Sequence, residues 1–238
     1  MAYRISRREF CRFSAFGTLF TVSGCYSIDS SLSGLDKTTT GSVGASVRRP
    51  PISVDPNIRS ADIMYAQKQD GAFIVPAVPF EKLEKRHLRQ RVPNPTGFPP
   101  GTIVIDTAKR YAYYVTSVDE AVRYGVGVGK EGFEWSGGAV VGRRTKWPVW
   151  TPPSEMIERK PELVKYSGGM PAGLENPLGA RALYLASNGK DTLYRLHGTP
   201  EWWTIGDAMS SGCIRFINQD IIDLYDRAPK GAPVVVLA

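Results

Sequence analysis

From about residue 100 onward the chain alternates short apolar runs with turn residues, the pattern of strands rather than of long helices. Residues 102–106 (Thr-Ile-Val-Ile-Asp) and 111–116 (Tyr-Ala-Tyr-Tyr-Val-Thr) flank a tight turn at 107–110 and predict a hairpin. Residues 121–128 continue the meander. A second hairpin is predicted from 182–187 and 192–197 across Asn188-Gly189, a favoured turn dipeptide. Residues 154–164 have the charge and spacing of a short helix and follow Pro152-Pro153, a natural helix start. Asn218 is suited to cap a helix over 219–227 that turns Ile221, Ile222, Leu224 and Tyr225 toward the core. Residues 234–237 close the chain as a strand. The expected class is mainly β, a curved mixed sheet with two short helices.

The first hundred residues read differently. Residues 61–99 hold Met64-Tyr-Ala-Gln67, an apolar stretch at 73–78 and a charged run at 81–91, with His87 inside it, that reads as a solvated face. Residues 92–100 contain Pro93, Pro95, Pro99 and Pro100 and predict a stiff, non-helical connector. Residues 26–60 are rich in Ser, Thr, Gly, Pro and Arg, with no sustained apolar period, as a tether would be. Ser6-Arg7-Arg8-Glu9-Phe10 matches the twin-arginine export pattern, and the apolar run at 13–22 is too short to span a bilayer. Val22-Ser23-Gly24-Cys25 resembles a lipobox, whose Cys receives a lipid; cleavage without a lipid is the alternative. The expected division is therefore an export signal at 1–24, a tether at 25–60, an N-terminal extension of open packing at 61–99 and a main domain at 100–238. It implies export to the periplasm, with membrane attachment only through Cys25.

Composition narrows the chemistry. The 238 residues are 42% hydrophobic, with 24 Gly and 18 Pro, as in a turn-rich globular chain. The net charge of +7 suits a polyanionic neighbourhood such as a cell wall. No basic helix, zinc-finger spacing or RNA-binding aromatic signature accompanies it, so nucleic acid is not an expected partner. Two His and no Cys-x-x-Cys argue against a metal site, and no cofactor is expected. Gly125, Gly127 and Gly129 read as a strand entering a glycine-rich turn, since no helix pattern follows them as a phosphate loop requires. Of the three cysteines, Cys11 leaves with the signal and Cys25 with its lipid, so Cys213 remains. A reactive role is the readiest account of one remaining thiol in an exported chain. Without lipidation, a Cys25–Cys213 disulfide is the competing account.

That thiol has a partner at a telling distance. His197-Gly198-Thr199 and Ser210-Ser211-Gly212-Cys213-Ile214-Arg215 set one imidazole and one thiol fifteen residues apart, counting those between, each beside a glycine. A thiol attacks as thiolate, and an imidazole is the usual base for it. The alternative for such a pair is a buried Cys and a structural His. The two strings resemble, position by position, the signature of the L,D-transpeptidase (YkuD-type) catalytic domain, except that Ser211 stands where many members have a second histidine. Residues 101–106, 124–129, 150–153, 176–179 and 220–225 also look like landmarks of that family. The resemblance covers about residues 100–238.

The resemblance implies a sandwich or closed, barrel-like sheet and a cysteine acyltransferase. Cys213 would be the nucleophile, and His197 would take its proton and return one to the leaving amine. It also implies that the backbone carbonyl of Gly198 orients the imidazole, although the residues alone leave Asp207 and Glu201 open. Amides around Gly212 and Cys213 suit an oxyanion hole. Arg215, two residues past the thiol, would share its face on an extended chain and could hold a stem-peptide carboxylate or brace the loop. Ser210 and Ser211 could bond substrate or satisfy turn amides, and Trp202 and Trp203 could wall the site or join the core. The implied donor is a peptidoglycan tetrapeptide stem, cut between its third residue and the terminal D-alanine. A second stem or the amino group of an envelope protein then resolves the thioester. Transfer to water, as by a carboxypeptidase or amidase, and a non-catalytic wall-binding lipoprotein are the alternatives.

Overall fold

The structure, a computed structural model, describes residues 58–129, 136–210 and 213–237. The twin-arginine stretch, Cys25 and most of the tether lie outside the described residues, as do Ser211 and Gly212. Two small strands come first, β1 (Lys68–Asp70) and β2 (Phe73–Val75), after the single-turn helix α1 (Ala61–Met64). Then follow β3 (Gln90–Pro93), β4 (Ile103–Asp106), β5 (Tyr111–Val115), β6 (Glu120–Gly125), β7 (Val128–Gly129) and β8 (Gly137–Lys146). Helix α2 (Ser154–Arg159) precedes β9 (Arg181–Ser187), β10 (Lys190–Thr199), β11 (Ala208–Ser210) and β12 (Ile214–Ile217). Helix α3 (Asn218–Arg227) and β13 (Pro233–Leu237) end the described chain.

Nine strands form one mixed sheet in the order β12-β10-β9-β8-β13-β4-β5-β6-β3. Within it β10 pairs parallel with β12, and β13 with β4; the other neighbours are antiparallel. The sheet curls until the chain leaving β6 meets β12. Gly127 and Arg215 exchange backbone hydrogen bonds of 2.9 and 2.8 Å across that seam. Ile103, Ile105, Val122, Tyr124, Leu183, Leu196, Phe216 and Val234 fill the interior, and α3 adds Ile221 and Leu224. The architecture is mainly β, a mixed sheet closed into a barrel-like sandwich.

Both expected hairpins are present. Asn188 and Gly189 join β9 to β10 with φ of 51° and 73°, the two positive values a type I′ turn demands. Arg110 closes the β4–β5 turn at φ 59°. Other expectations change in detail. The helix foreseen over 154–164 stops at Arg159, because Pro161 has no amide proton to continue it, and a 3₁₀ segment takes over from Pro161 to Tyr166. Asn218 begins α3 but does not cap it: Ile217 holds the cap position, and Asn218 Oδ1 instead accepts the Ala180 N–H at 2.9 Å.

The charged run at 81–91 is not a solvated face throughout. His87 is 4% exposed and Arg89 6%. His87 is wedged against Gly125 on one side and Gly206 on the other, where any Cβ would strike it. Arg89 forms ion pairs with Asp220 (3.6 Å) and Asp223 (3.1 Å) of α3. Tyr65 ties into the same cluster, donating to Asp220 at 3.2 Å and accepting the Arg89 N–H at 2.7 Å. Further anchors hold the β1–β2 hairpin. Arg181 grips Asp70 with two bonds of 2.6 and 2.7 Å, and Trp147 donates to the same carboxylate at 2.8 Å. The segment before residue 94 is thus fastened to the main sheet by buried charge pairs and by the β3–β6 pairing.

Candidate active site

The pairing of β10 with β12 decides which side chains meet. In a parallel ladder, residues in register share a face, and every second residue along each strand returns to it. His197 pairs with Arg215 and Thr199 with Ile217. Arg195 lies two residues before His197 on β10 and Cys213 lies just before β12; continuing the same register by one pair sets both on that face. Leu196, Ile214 and Phe216 take the opposite face and are buried in the core. On that register a strand, a loop and a parallel return bring His197 and Cys213, with fifteen residues between them in sequence, onto one face.

His197 is held rigidly. It is 5% exposed, and its Nδ1 lies 2.6 Å from the Gly198 carbonyl, which accepts the ring proton. That leaves Nε2 as the basic nitrogen of the neutral ring. Burial pulls its pKa down to about 4; the Gly198 and Pro177 backbones favour the charged ring, while the Arg215 and Arg195 charges oppose it. Burial pushes the Cys213 thiol up, against the Arg195 backbone hydrogen bond and the Arg195 charge, which favour thiolate. Both shifts favour the uncharged form of each group. Desolvation disfavours the charged form of both groups and outweighs the neighbours that favour it.

Gly198 is fixed by close packing. A Cβ there would run into Asn218 Oδ1, and one on Gly179 (φ +60) would strike the same oxygen and the Gly198 backbone. Gly198→Ala is expected to cost about 1–3 kcal/mol of stability through overpacking and to lower acyl transfer, since Asn218 must give up the Ala180 N–H. Denaturant unfolding alongside an activity assay checks this. A loss below about 0.5 kcal/mol would mean that Asn218 simply swings aside.

Arg215 binds Glu201 at 3.0 Å through Nη1, while its Nε and Nη2 are buried with no hydrogen-bond partner. Glu201 is thus engaged with Arg215, and the imidazole proton goes to the Gly198 carbonyl. Ser210 ends β11, which runs parallel to β7. Trp202 is half-buried and packs against a cluster of Tyr65, Val78, Leu83, Ile205 and Ile217. Trp203, edge-on to it, is 59% exposed. Among the described residues no three His, Cys, Asp or Glu side chains come together in a way that could hold a metal.

The match to known proteins falls on the same stretch. Residues 100–236 match the family model described as the L,D-transpeptidase catalytic domain, YkuD. The chain belongs to that family. It is 34% identical over 139 residues to the probable L,D-transpeptidase ErfK/SrfK of Escherichia coli, a match covering 57% of this chain and 43% of that protein. The probable L,D-transpeptidase YbiS of Escherichia coli is 33% identical over 138 residues, covering 56% of this chain and 43% of that protein. The matched stretch is less than half the length of these relatives. A crystal structure of a probable carnitine operon oxidoreductase from Brucella melitensis is 47% identical, with 67% of this chain and 99% of that one covered and a TM-score of 0.46.

Sequence reasoning missed Arg195. Its guanidinium is clamped by Asp191 at 2.7 and 2.9 Å and lies 4.5 Å from the Tyr184 ring centroid. It is the cation nearest in register to Cys213. The signal was available, because a predicted strand through 192–197 puts residue 195 on the same face as residue 197.

Proposed function

We propose that this chain is a peptidoglycan L,D-transpeptidase. In this reading Cys213 Sγ attacks the carbonyl joining the third stem residue to D-alanine while His197 Nε2 takes the thiol proton. The C–N bond breaks, the thioester forms, and His197 returns the proton to D-alanine as it leaves. An amine from a second stem or an envelope protein then attacks the thioester, and Cys213 regains its proton through His197. Amides at Gly212 and Cys213 receive the developing oxyanion. Arg215 is the candidate for a substrate carboxylate, taken in exchange for its contact with Glu201.

The observation that carries this reading is the shared face of His197 and Cys213 across the β10–β12 pair, with Nδ1 tied to the Gly198 carbonyl. It lies in a stretch that belongs to the family. The test is incubation with purified tetrapeptide muropeptides, with products separated by mass. Cross-linked dimers and released D-alanine are expected. Shortened monomers alone would replace transfer with hydrolysis, and unchanged substrate would remove the reading.

A further inference from the structure

The loop that joins His197 to Cys213 packs on residues from outside the family domain. Ile205, 5% exposed, and the half-buried Trp202 enter an apolar cluster built on Tyr65, Val78 and Leu83, together with Ile217 of β12. Tyr65, Val78 and Leu83 all precede the matched stretch of 100–236.

His87 meets the same loop at Gly206. Its ring fills the space where a Cβ on Gly206 would stand, with Cε1 2.4 Å and Nδ1 2.7 Å from that position. Gly206 has a φ of 94°, in the left-handed region that glycine favours, so the loop turns here and brings no side chain of its own. On its other side His87 lies against Gly125, the last residue of β6. A Cβ there would stand 2.4 Å from the His87 carbonyl oxygen and 2.6 Å from the His87 Cβ. The Tyr111 ring flanks the imidazole, 5.8 Å between centroids.

The two stretches that His87 separates are bonded to the chain on both sides of the thiol. Gly206 donates its N–H to the Val126 carbonyl at 3.2 Å, and Val128 donates to the Asp207 carbonyl at 3.0 Å. β7 then pairs with β11, with Ser210 opposite Gly129. Gly127 is bonded to Arg215, and a Cβ on it would lie 3.0 Å from the Thr204 carbonyl oxygen and 3.5 Å from Arg215 Nε. Residues 126–129 thus gather the chain three residues before Cys213 and two residues after it. Removing the ring between Gly125 and Gly206 would leave a void under that arrangement. A misplacement of about 1 Å between reacting groups can cost about 10²-fold in rate.

We propose that His87 is a positioning residue for Cys213: by filling the space between Gly125 and Gly206 it seats the loop on residues 126–129 and sets where the sulfur stands relative to His197. The N-terminal extension thereby takes part in the geometry of the site. This role rests on the reading of Cys213 and His197 as the reacting pair.

The experiment compares His87→Ala and His87→Asn with the wild-type chain in acylation by meropenem, followed by intact mass, and in alkylation by iodoacetamide. Acylation needs the sulfur, the imidazole and the oxyanion amides in register, whereas alkylation needs only a reachable thiolate. In His87→Ala the maximal acylation rate is expected to fall about tenfold or more, with the half-saturating meropenem concentration changed less than about threefold, while alkylation holds or rises. His87→Asn fills part of the space and should lose less. Val115→Ala, a buried deletion at the end of β5 away from Tyr111, is the stability control; it should lower the denaturant midpoint and leave acylation unchanged. Should His87→Ala not fold, the same split between acylation and alkylation is read on His87→Asn. An unchanged acylation rate in the folded variant, an equal fall in alkylation, a greater loss in His87→Asn than in His87→Ala, or an equal loss in Val115→Ala would overturn the role. A wild-type chain that takes no meropenem would instead sink the reading of the pair as reactive.

Discussion

A Cys213→Ala chain is expected to fold normally, form no carbapenem adduct by intact mass, and lose transfer by a factor on the order of 10⁴ or more. His197→Gln should retain the thiol but lose about 10²–10⁴-fold, the usual contribution of a positioned proton acceptor. The pH dependence separates two mechanisms. Burial raises the thiol and lowers the imidazole to about 4, so near pH 7 neither carries charge. Alkylation of Cys213 by iodoacetamide should therefore climb with pH through the ordinary thiol range and beyond, because each added unit converts more thiol to thiolate. A thiolate–imidazolium pair would instead give a plateau beginning near pH 5, and such a plateau would defeat this account. On the proposed mechanism, His197 would then act as base only during attack, when substrate has arrived.

Arg89→Met is expected to destabilise the chain by about 3–5 kcal/mol, the cost of breaking a buried ion pair from one side. Arg89 stands between two carboxylates of α3, and Asp220 is wholly buried. Arg227 still answers Asp223, at 2.8 and 3.1 Å, and Tyr124 donates to it at 2.6 Å. Asp220 would keep only the Tyr65 hydroxyl. Burial already pushes the Asp220 carboxyl up to about 7, despite Arg89 pulling it down. A raised carboxyl pKa favours the native state when protonated, so the native carboxyl can take up a proton below pH 7 and shed its uncompensated charge. The deficit of Arg89→Met should therefore be larger at pH 8 than at pH 5, and Asp220→Asn in that background should restore part of it. Denaturant midpoints at the two pH values measure both. A cost under about 1 kcal/mol at pH 8 would mean that the cluster is wet or already neutral.

Local signals carried much of the fold. Asn188-Gly189 predicts its own turn geometry, and the apolar runs flanking it have no other stable arrangement than paired strands. The helix of α3 was legible from Ile221, Ile222, Leu224 and Tyr225. The His197 and Cys213 motif stood out through its likeness to the family signature, and Gly198 beside the histidine is where the backbone packs closely against Asn218 and Ala180. What escaped was fixed by distant partners. β8 reads Gly-Gly-Ala-Val-Val-Gly-Arg-Arg-Thr-Lys, with no clean alternation, since Arg143 and Arg144 lie over the rings of Tyr184 and Tyr225. Arg89 and His87 look like surface residues until α3 and the glycines at 125 and 206 are placed around them. Asn218 has the right chemistry for a cap, but the Ala180 amide, thirty-eight residues away, competes for its oxygen and wins.

The outermost strand of the large sheet, β3, comes from residues 90–93, ahead of the stretch by which the family is recognised. A recombinant fragment started at residue 100 would strip that strand away and leave the backbone amides and carbonyls of β6 open along one side. Bare strand borders of this kind recruit one another, so such a fragment invites self-association in the test tube. Solubility of the catalytic half is in this sense inherited from the sequence that precedes it.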